Sequence, residues 1–266
     1  MPTATNDGVR LSYERDGPPE AETVVFVEGL GYGRWMWRWQ QRGLAEYDTI
    51  RWDNRGTGDS ETPEGPYSIG EMAGDLAAVI DDAGVESAHV VGASMGGMIA
   101  QQFALDHGRA DSLALLCTTP GGPEAIPTPE ETQERIFDVP EEYDERERRR
   151  YKMTPAMTAS YMEANDDLIE RIIDWRIESD ASDRALAWQA EAVESFDVHD
   201  RLGEIDVPAL VVHGTADGVV PVENGRLLAD ALGDVEYREL DGAPHLCFIE
   251  RADAVNDALR GFLTDV

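Results

Sequence analysis

The residues best suited to chemistry gather around one serine, Ser94, in the pentapeptide Gly92-Ala93-Ser94-Met95-Gly96. A short apolar run, Ala88 to Val91, precedes it, and a helix-like run, Gly97 to Leu105, follows. G-x-S-x-G between a strand and a helix reads as a nucleophile elbow. A serine at the tip of so tight a turn sits in strained backbone, and its neighbours two residues away must lack side chains for strand and helix to approach. The helix N-terminus then aims free N–H groups and a positive dipole end at chemistry near the serine. A glycine-rich turn with a capping serine is the plainer reading, and the flanking strand and helix weigh against it.

A serine hydroxyl is a weak nucleophile and needs a base and an orienting acid. Five histidines compete. His89 starts its strand, at the wrong end for the site; His107 ends the elbow helix as a cap; His199 lies in the return to the core; His213 ends a strand and reads as structural. His245, in the loop Asp241-Gly242-Ala243-Pro244-His245-Leu246 between a strand and the last helix, can reach the sheet's C-terminal edge. Asp217, in the turn after the preceding strand, is the best acid, with Asp241 and Glu124 as rivals. Such a carboxylate fixes the imidazole tautomer and stabilises the imidazolium. Serine, acid and base thus fall in the chain order Ser94, Asp217, His245.

An oxyanion hole needs two backbone N–H groups. Met95, after the nucleophile, supplies one; Leu30, in the loop Glu28-Gly29-Leu30-Gly31 after the apolar strand Val24–Val27, is expected to supply the other. The same glycines do not make a dinucleotide fingerprint, because the third glycine of G-x-G-x-x-G would fall at Arg34. No metal-ligand spacing is present, and no cofactor is called for. Cys117 and Cys247 sit in apolar surroundings and read as two buried reduced thiols.

The elements that must position these groups alternate along the chain. Strand-like runs cover Val9–Glu14 (an edge strand), Val24–Val27, Asp48–Trp52, His89–Val91, Ser112–Cys117, Pro208–His213 and Val235–Leu240. Ile69–Ala83 has helical spacing with Ser68 as cap, and Asp253–Leu263 closes the chain as a helix. This is an α/β pattern: a mainly parallel central sheet of about eight strands covered by helices on both faces. Residues 121–199 break the rhythm with prolines and then helix-like segments, reading as a helical cap inserted into a core formed by 1–120 and 200–266. Within it, Glu142 with Arg146, Asp144 with Arg148 and Glu145 with Arg149 are spaced as i, i+4 pairs on a solvated face.

The net charge of −32, with 54 acidic residues against 22 basic ones and Lys152 as the only lysine, is spread through the chain. Self-repulsion on this scale weakens a compact state in dilute buffer, and molar salt shortens the Debye length to about 3 Å. The composition resembles cytoplasmic proteins of salt-accumulating halophiles. It disfavours nucleic acid, whose phosphates need a basic face. The start, Met1 to Asp7, lacks the basic and apolar segments of a secretory signal, and no apolar run is long enough to span a membrane.

Taken together, Gly92-Ala93-Ser94-Met95-Gly96-Gly97, Asp53-Asn54-Arg55-Gly56-Thr57-Gly58-Asp59-Ser60, His213-Gly214-Thr215-Ala216-Asp217 and Gly242-Ala243-Pro244-His245 resemble the α/β-hydrolase fold family, in its cap-bearing esterase, lactonase and haloperoxidase-like group. The resemblance implies that the Asp53–Ser60 loop is structural. It also exposes a departure: the family usually has His-Gly where this chain has Glu28-Gly29, so Glu28 must either point away into a hydrogen-bonded position or tune the site. Aspartate-nucleophile relatives, the haloalkane dehalogenases and epoxide hydrolases, are excluded by Ser94.

The pocket is expected between sheet edge and cap. Tyr32, Trp35, Met95, Met153, Met157, Tyr161, Trp175, Trp188 and Leu246 are candidate lining residues, which together suggest a small apolar ester or lactone. Cofactor-free perhydrolysis and carbon–carbon bond hydrolysis use the same triad and stay open, as does a non-catalytic ligand receptor on this scaffold. No membrane partner is expected, and a homo-oligomer is left open.

Overall fold

Eight strands form one sheet in the computed structural model, which describes residues 1–266. They are β1 (Thr3–Asn6), β2 (Val9–Asp16), β3 (Thr23–Val27), β4 (Asp48–Trp52), β5 (Ala88–Ala93), β6 (Ala110–Leu116), β7 (Ala209–Gly214) and β8 (Val235–Leu240). Their order across the sheet is β1-β2-β4-β3-β5-β6-β7-β8. The β1/β2 and β2/β4 pairs are antiparallel and all later pairs are parallel. The Val9 strand is therefore not an edge. Thr3–Asn6 takes that position, too short and polar to announce itself by alternation.

The core strands are apolar on both faces, as a doubly covered parallel sheet requires. Val25, Val27 and Val90 pack into one hydrophobic cluster, while Val24, Phe26 and Val91 pack into a second on the opposite face. The helices are α1 (Arg38–Gly43), α2 (Ile69–Asp82), α3 (Met95–His107), α4 (Glu130–Phe137), α5 (Glu145–Met153), α6 (Ala159–Ala164), α7 (Asp166–Ser179), α8 (Asp183–Glu194), α9 (Glu223–Ala231), α10 (Cys247–Glu250) and α11 (Ala252–Asp265). Apolar residues of α2, α3 and α9 join the first cluster; those of α10 and α11 join the second. Ser68 caps α2 by accepting from the Glu71 amide, as its sequence predicts.

Between β6 and β7 the chain forms α4 to α8 and no named strand. Its two ends meet at a β-bridge between Gly121 and Asp197, beside which the Val198 amide donates to the Pro120 carbonyl at 3.0 Å. Of the three i, i+4 pairs read from the sequence, only Glu145–Arg149 forms. Glu142 lies before the helix begins, Asp144 is occupied as its N-cap, Arg146 reaches across to Glu170 and Asp174, and Arg148 reaches Asp183.

Candidate active site

Parallel strands bring the C-terminal ends of β3, β5, β6, β7 and β8 to one edge of the sheet, and the candidate residues lie in the loops there. Ser94 stands between β5 and α3 with φ 54° and ψ −121°, a left-handed value that costs a non-glycine residue about 1–3 kcal/mol. The surroundings hold it there. Its amide donates to the Leu116 carbonyl at 2.9 Å, and its carbonyl accepts from Thr118 Oγ1 at 2.6 Å. The two elbow glycines are needed for close approach. A Cβ on Gly96 would lie 2.0 Å from the Val27 carbonyl oxygen, and one on Gly92 would lie 2.2 Å from the Gly96 carbonyl oxygen.

His245 follows β8, and its Nδ1 lies 2.8 Å from Asp217 Oδ2. Two amides, of Val219 and Val220, donate to the other oxygen of Asp217 at 2.8 Å each, which fixes the carboxylate plane. Burial works to raise the Asp217 pKa, but the His245 and His213 imidazoles prevail and hold it well below the usual carboxylate range. His213 is more than structural filling: its Nε2 lies 2.9 Å from the Val220 carbonyl oxygen and 3.3 Å from Asp217 Oδ2. Burial opposes its charge, yet Asp217 raises its pKa to about 9. The rivals are elsewhere. Asp241 is exposed and meets Thr215, Glu124 sits near His199, His89 is bound to Ser112 Oγ, and His107 stacks on Phe103.

Ser94 and His245 line one cavity of about 90 Å³. Beside it, the Gly31 amide donates to Gln189 Oε1 and the Tyr32 amide to the Gly29 carbonyl, whereas the Leu30 amide has no protein acceptor. Met95 opens α3, whose first-turn amides lack acceptors within the helix. Cys117 and Cys247 are both free and buried, with their sulfurs 3.4 Å apart.

The model of the alpha/beta hydrolase family matches residues 24–258, which take in the sheet from Val24 of β3 through β8, the elbow and the loops just described. The chain belongs to the alpha/beta hydrolase family. It is 31% identical over 270 residues to a protein of Azorhizobium caulinodans named as a carbamate hydrolase, RutD, covering 100% of this chain and 99% of that one. It is 27% identical over 270 residues to 3-oxoadipate enol-lactonase 2 of Acinetobacter baylyi, covering 98% and 96%. The crystal structure of the enol-lactonase from Burkholderia xenovorans LB400 superposes with a TM-score of 0.88 at 32% identity, over 99% of this chain and 100% of that one.

In this hydrolase the cavity lining differs from the apolar set read from the sequence. Tyr32, Leu30 and Leu246 line it. Trp35, Met153, Met157, Tyr161, Trp175 and Trp188 do not. Met153 and Met157 are buried in the second cluster, against which Tyr161 packs. Trp175 contacts Trp35 and Trp39, and Trp188 packs on Tyr67. The Met95 side chain points into the first cluster, so only its amide can serve the site. Their place is taken in part by Arg149, Lys152, Arg176 and Asp180. The spacing of α7 carried a signal for one of them: Ile169, Ile172, Ile173 and Arg176 share its buried face, so Arg176 is a cation on an apolar stripe.

Glu28 is fully buried, and neither carboxylate oxygen has a hydrogen-bond partner. The expected hydrogen-bonded position is not what it adopts; only its backbone carbonyl is bound, by Asn54 Nδ2 at 3.2 Å. Burial, reinforced by Asp53, pushes its pKa well above the ordinary carboxyl value, because both work against the charged form. It is also absent from the cavity lining.

Proposed function

We propose that the protein is a serine hydrolase that cleaves a small carboxylic ester or lactone through an acyl-enzyme. The observation that carries this reading is the 2.8 Å contact of His245 Nδ1 with Asp217 Oδ2, with His245 and Ser94 opening on the same cavity. Nδ1 is engaged by the carboxylate, which leaves Nε2 as the ring nitrogen to take the Ser94 proton. Ser94 Oγ attacks the carbonyl carbon, and the Leu30 and Met95 amides receive the oxyanion. The tetrahedral intermediate collapses as His245 returns the proton to the leaving alkoxide. Water, deprotonated by His245, then repeats the sequence on the acyl-enzyme and releases the acid. Loss of one oxyanion donor costs about 2.7–4 kcal/mol in enzymes of this type.

The enol-lactonase relatives favour a lactone, and the relative named as a carbamate hydrolase favours testing carbamates in the same panel. We assign residues 121–199 as a cap over the core of 1–120 and 200–266, because cavity-lining residues come from α4, α5, α7 and α8. The experiment is turnover of a lactone, ester and carbamate panel together with labelling by a fluorophosphonate. Wild type is expected to turn over and to be labelled at Ser94. Full activity in Ser94→Ala would overturn the mechanism, and an unlabelled, inactive wild type would favour a ligand receptor.

A further inference from the structure

The chain has 54 acidic side chains against 22 lysines and arginines, yet the cavity lining reverses that ratio. Three cations, Arg149, Lys152 and Arg176, line it with a single carboxylate, Asp180. That carboxylate is already engaged: Arg176 Nε donates to one oxygen at 2.6 Å and Trp35 Nε1 to the other at 2.9 Å. Arg176 is thereby neutralised, and its guanidinium also rests 4.6 Å from the Tyr32 ring centroid.

Arg149 and Lys152 are paired differently. Their partners, Glu145 at 3.0 Å and Asp183 at 3.3 Å, lie outside this lining, with 56% and 75% of their side chains exposed. The two cations themselves are only 16% and 8% exposed. Both also line a second, polar cavity with Glu145, Arg148, Ser182 and Asp183, so they stand in the wall between the two spaces. A carboxylate held mostly in water compensates a desolvated cation weakly. Burial pulls the Lys152 pKa down, with Asp183 only opposing it, which marks a cation short of compensation.

Resting on the hydrolase reading above, we infer that the substrate carries a carboxylate remote from its scissile bond, and that Lys152 and Arg149 bind it. The ester or lactone carbonyl then reaches Ser94 while the anion sits against the cap. A substrate of that charge is repelled by the −32 chain as a whole and is attracted at these residues, so the pair selects as well as holds.

The test compares monomethyl glutarate with methyl pentanoate, esters of similar length that differ in the remote carboxylate, at low salt by acid release. Wild type is expected to favour the anionic ester in kcat/KM by tenfold or more. Lys152→Met should cut that ratio at least tenfold, and Lys152→Arg should restore most of it. Asp183→Asn, which removes the exposed partner of Lys152, should raise the ratio and guards against a folding defect in Lys152→Met. Equal kcat/KM for the two esters in wild type, or a ratio unmoved by Lys152→Met, overturns the inference. Binding of glutarate to Ser94→Ala by calorimetry, lost in the Ser94→Ala/Lys152→Met double variant, supports it without turnover. Binding without any hydrolysis in wild type would sink the hydrolase reading alone; hydrolysis of both esters without a charge preference would sink the charge inference alone.

Discussion

His213 Nε2 lies 3.3 Å from Oδ2 of Asp217, the same oxygen that faces His245. Two imidazoles therefore share one buried carboxylate oxygen, and the titration of His213 bears on stability. The His213 pKa is raised from 6.5 to about 9 in the folded protein. Between those values the native state holds a proton that the unfolded chain releases. The stabilisation is complete below pH 6.5 and is lost as pH rises through about 9. The melting temperature is expected to fall over this window, and His213→Gln should flatten that fall. A profile equally steep in His213→Gln would refute the assignment.

Asp217→Asn keeps the size of the side chain and removes its charge. The amide cannot hold His245 in the tautomer that leaves Nε2 unprotonated, so kcat is expected to drop about 10⁴-fold with KM little changed. Steady-state kinetics on the ester that wild type turns over best checks this, and a drop of less than tenfold would remove Asp217 from the mechanism.

Glu28 gives a prediction of the opposite kind. Its raised pKa means that the folded state binds a proton the unfolded chain gives up, so wild type loses stability as pH rises above the ordinary carboxyl range. Glu28→Gln removes that titration. The variant should match wild type in acid and gain on it steadily toward neutral pH, read as the difference in melting temperature at each pH. A difference independent of pH would show that Glu28 does not titrate anomalously.

The charge of −32 predicts a dependence on salt. We expect the melting temperature to rise from dilute buffer to molar KCl as repulsion between surface carboxylates is screened. Sodium sulfate at matched ionic strength separates screening from salt exclusion at the surface, since KCl excludes weakly. Unchanged stability across KCl concentrations would reject adaptation to salt.

The parts of the site legible in sequence are those that local backbone chemistry specifies. Gly92 and Gly96 mark a turn whose atoms approach too closely for any Cβ, and that requirement is written in the pentapeptide itself. The strand-and-helix rhythm carries the sheet, and a parallel sheet necessarily delivers the loops holding Ser94, Asp217 and His245 to one edge. The edge strand Thr3–Asn6 was not legible, because four half-polar residues have no period to detect.

The sequence by itself determined the order Ser94, Asp217, His245 and the strands that carry it, since both follow from short-range turn geometry and periodicity. Only the tertiary structure decided what surrounds Ser94. Met153, Trp175 and Trp188 pack among their neighbours while Arg149, Lys152 and Arg176 form part of the cavity wall. That choice depends on how α5 and α7 rotate against each other and the sheet, a matter of side chains distant in sequence filling the same space. Glu28 shows the same division: its place beside the Gly29–Gly31 loop is plain from the chain, but its burial without a partner is a property of the packed interior.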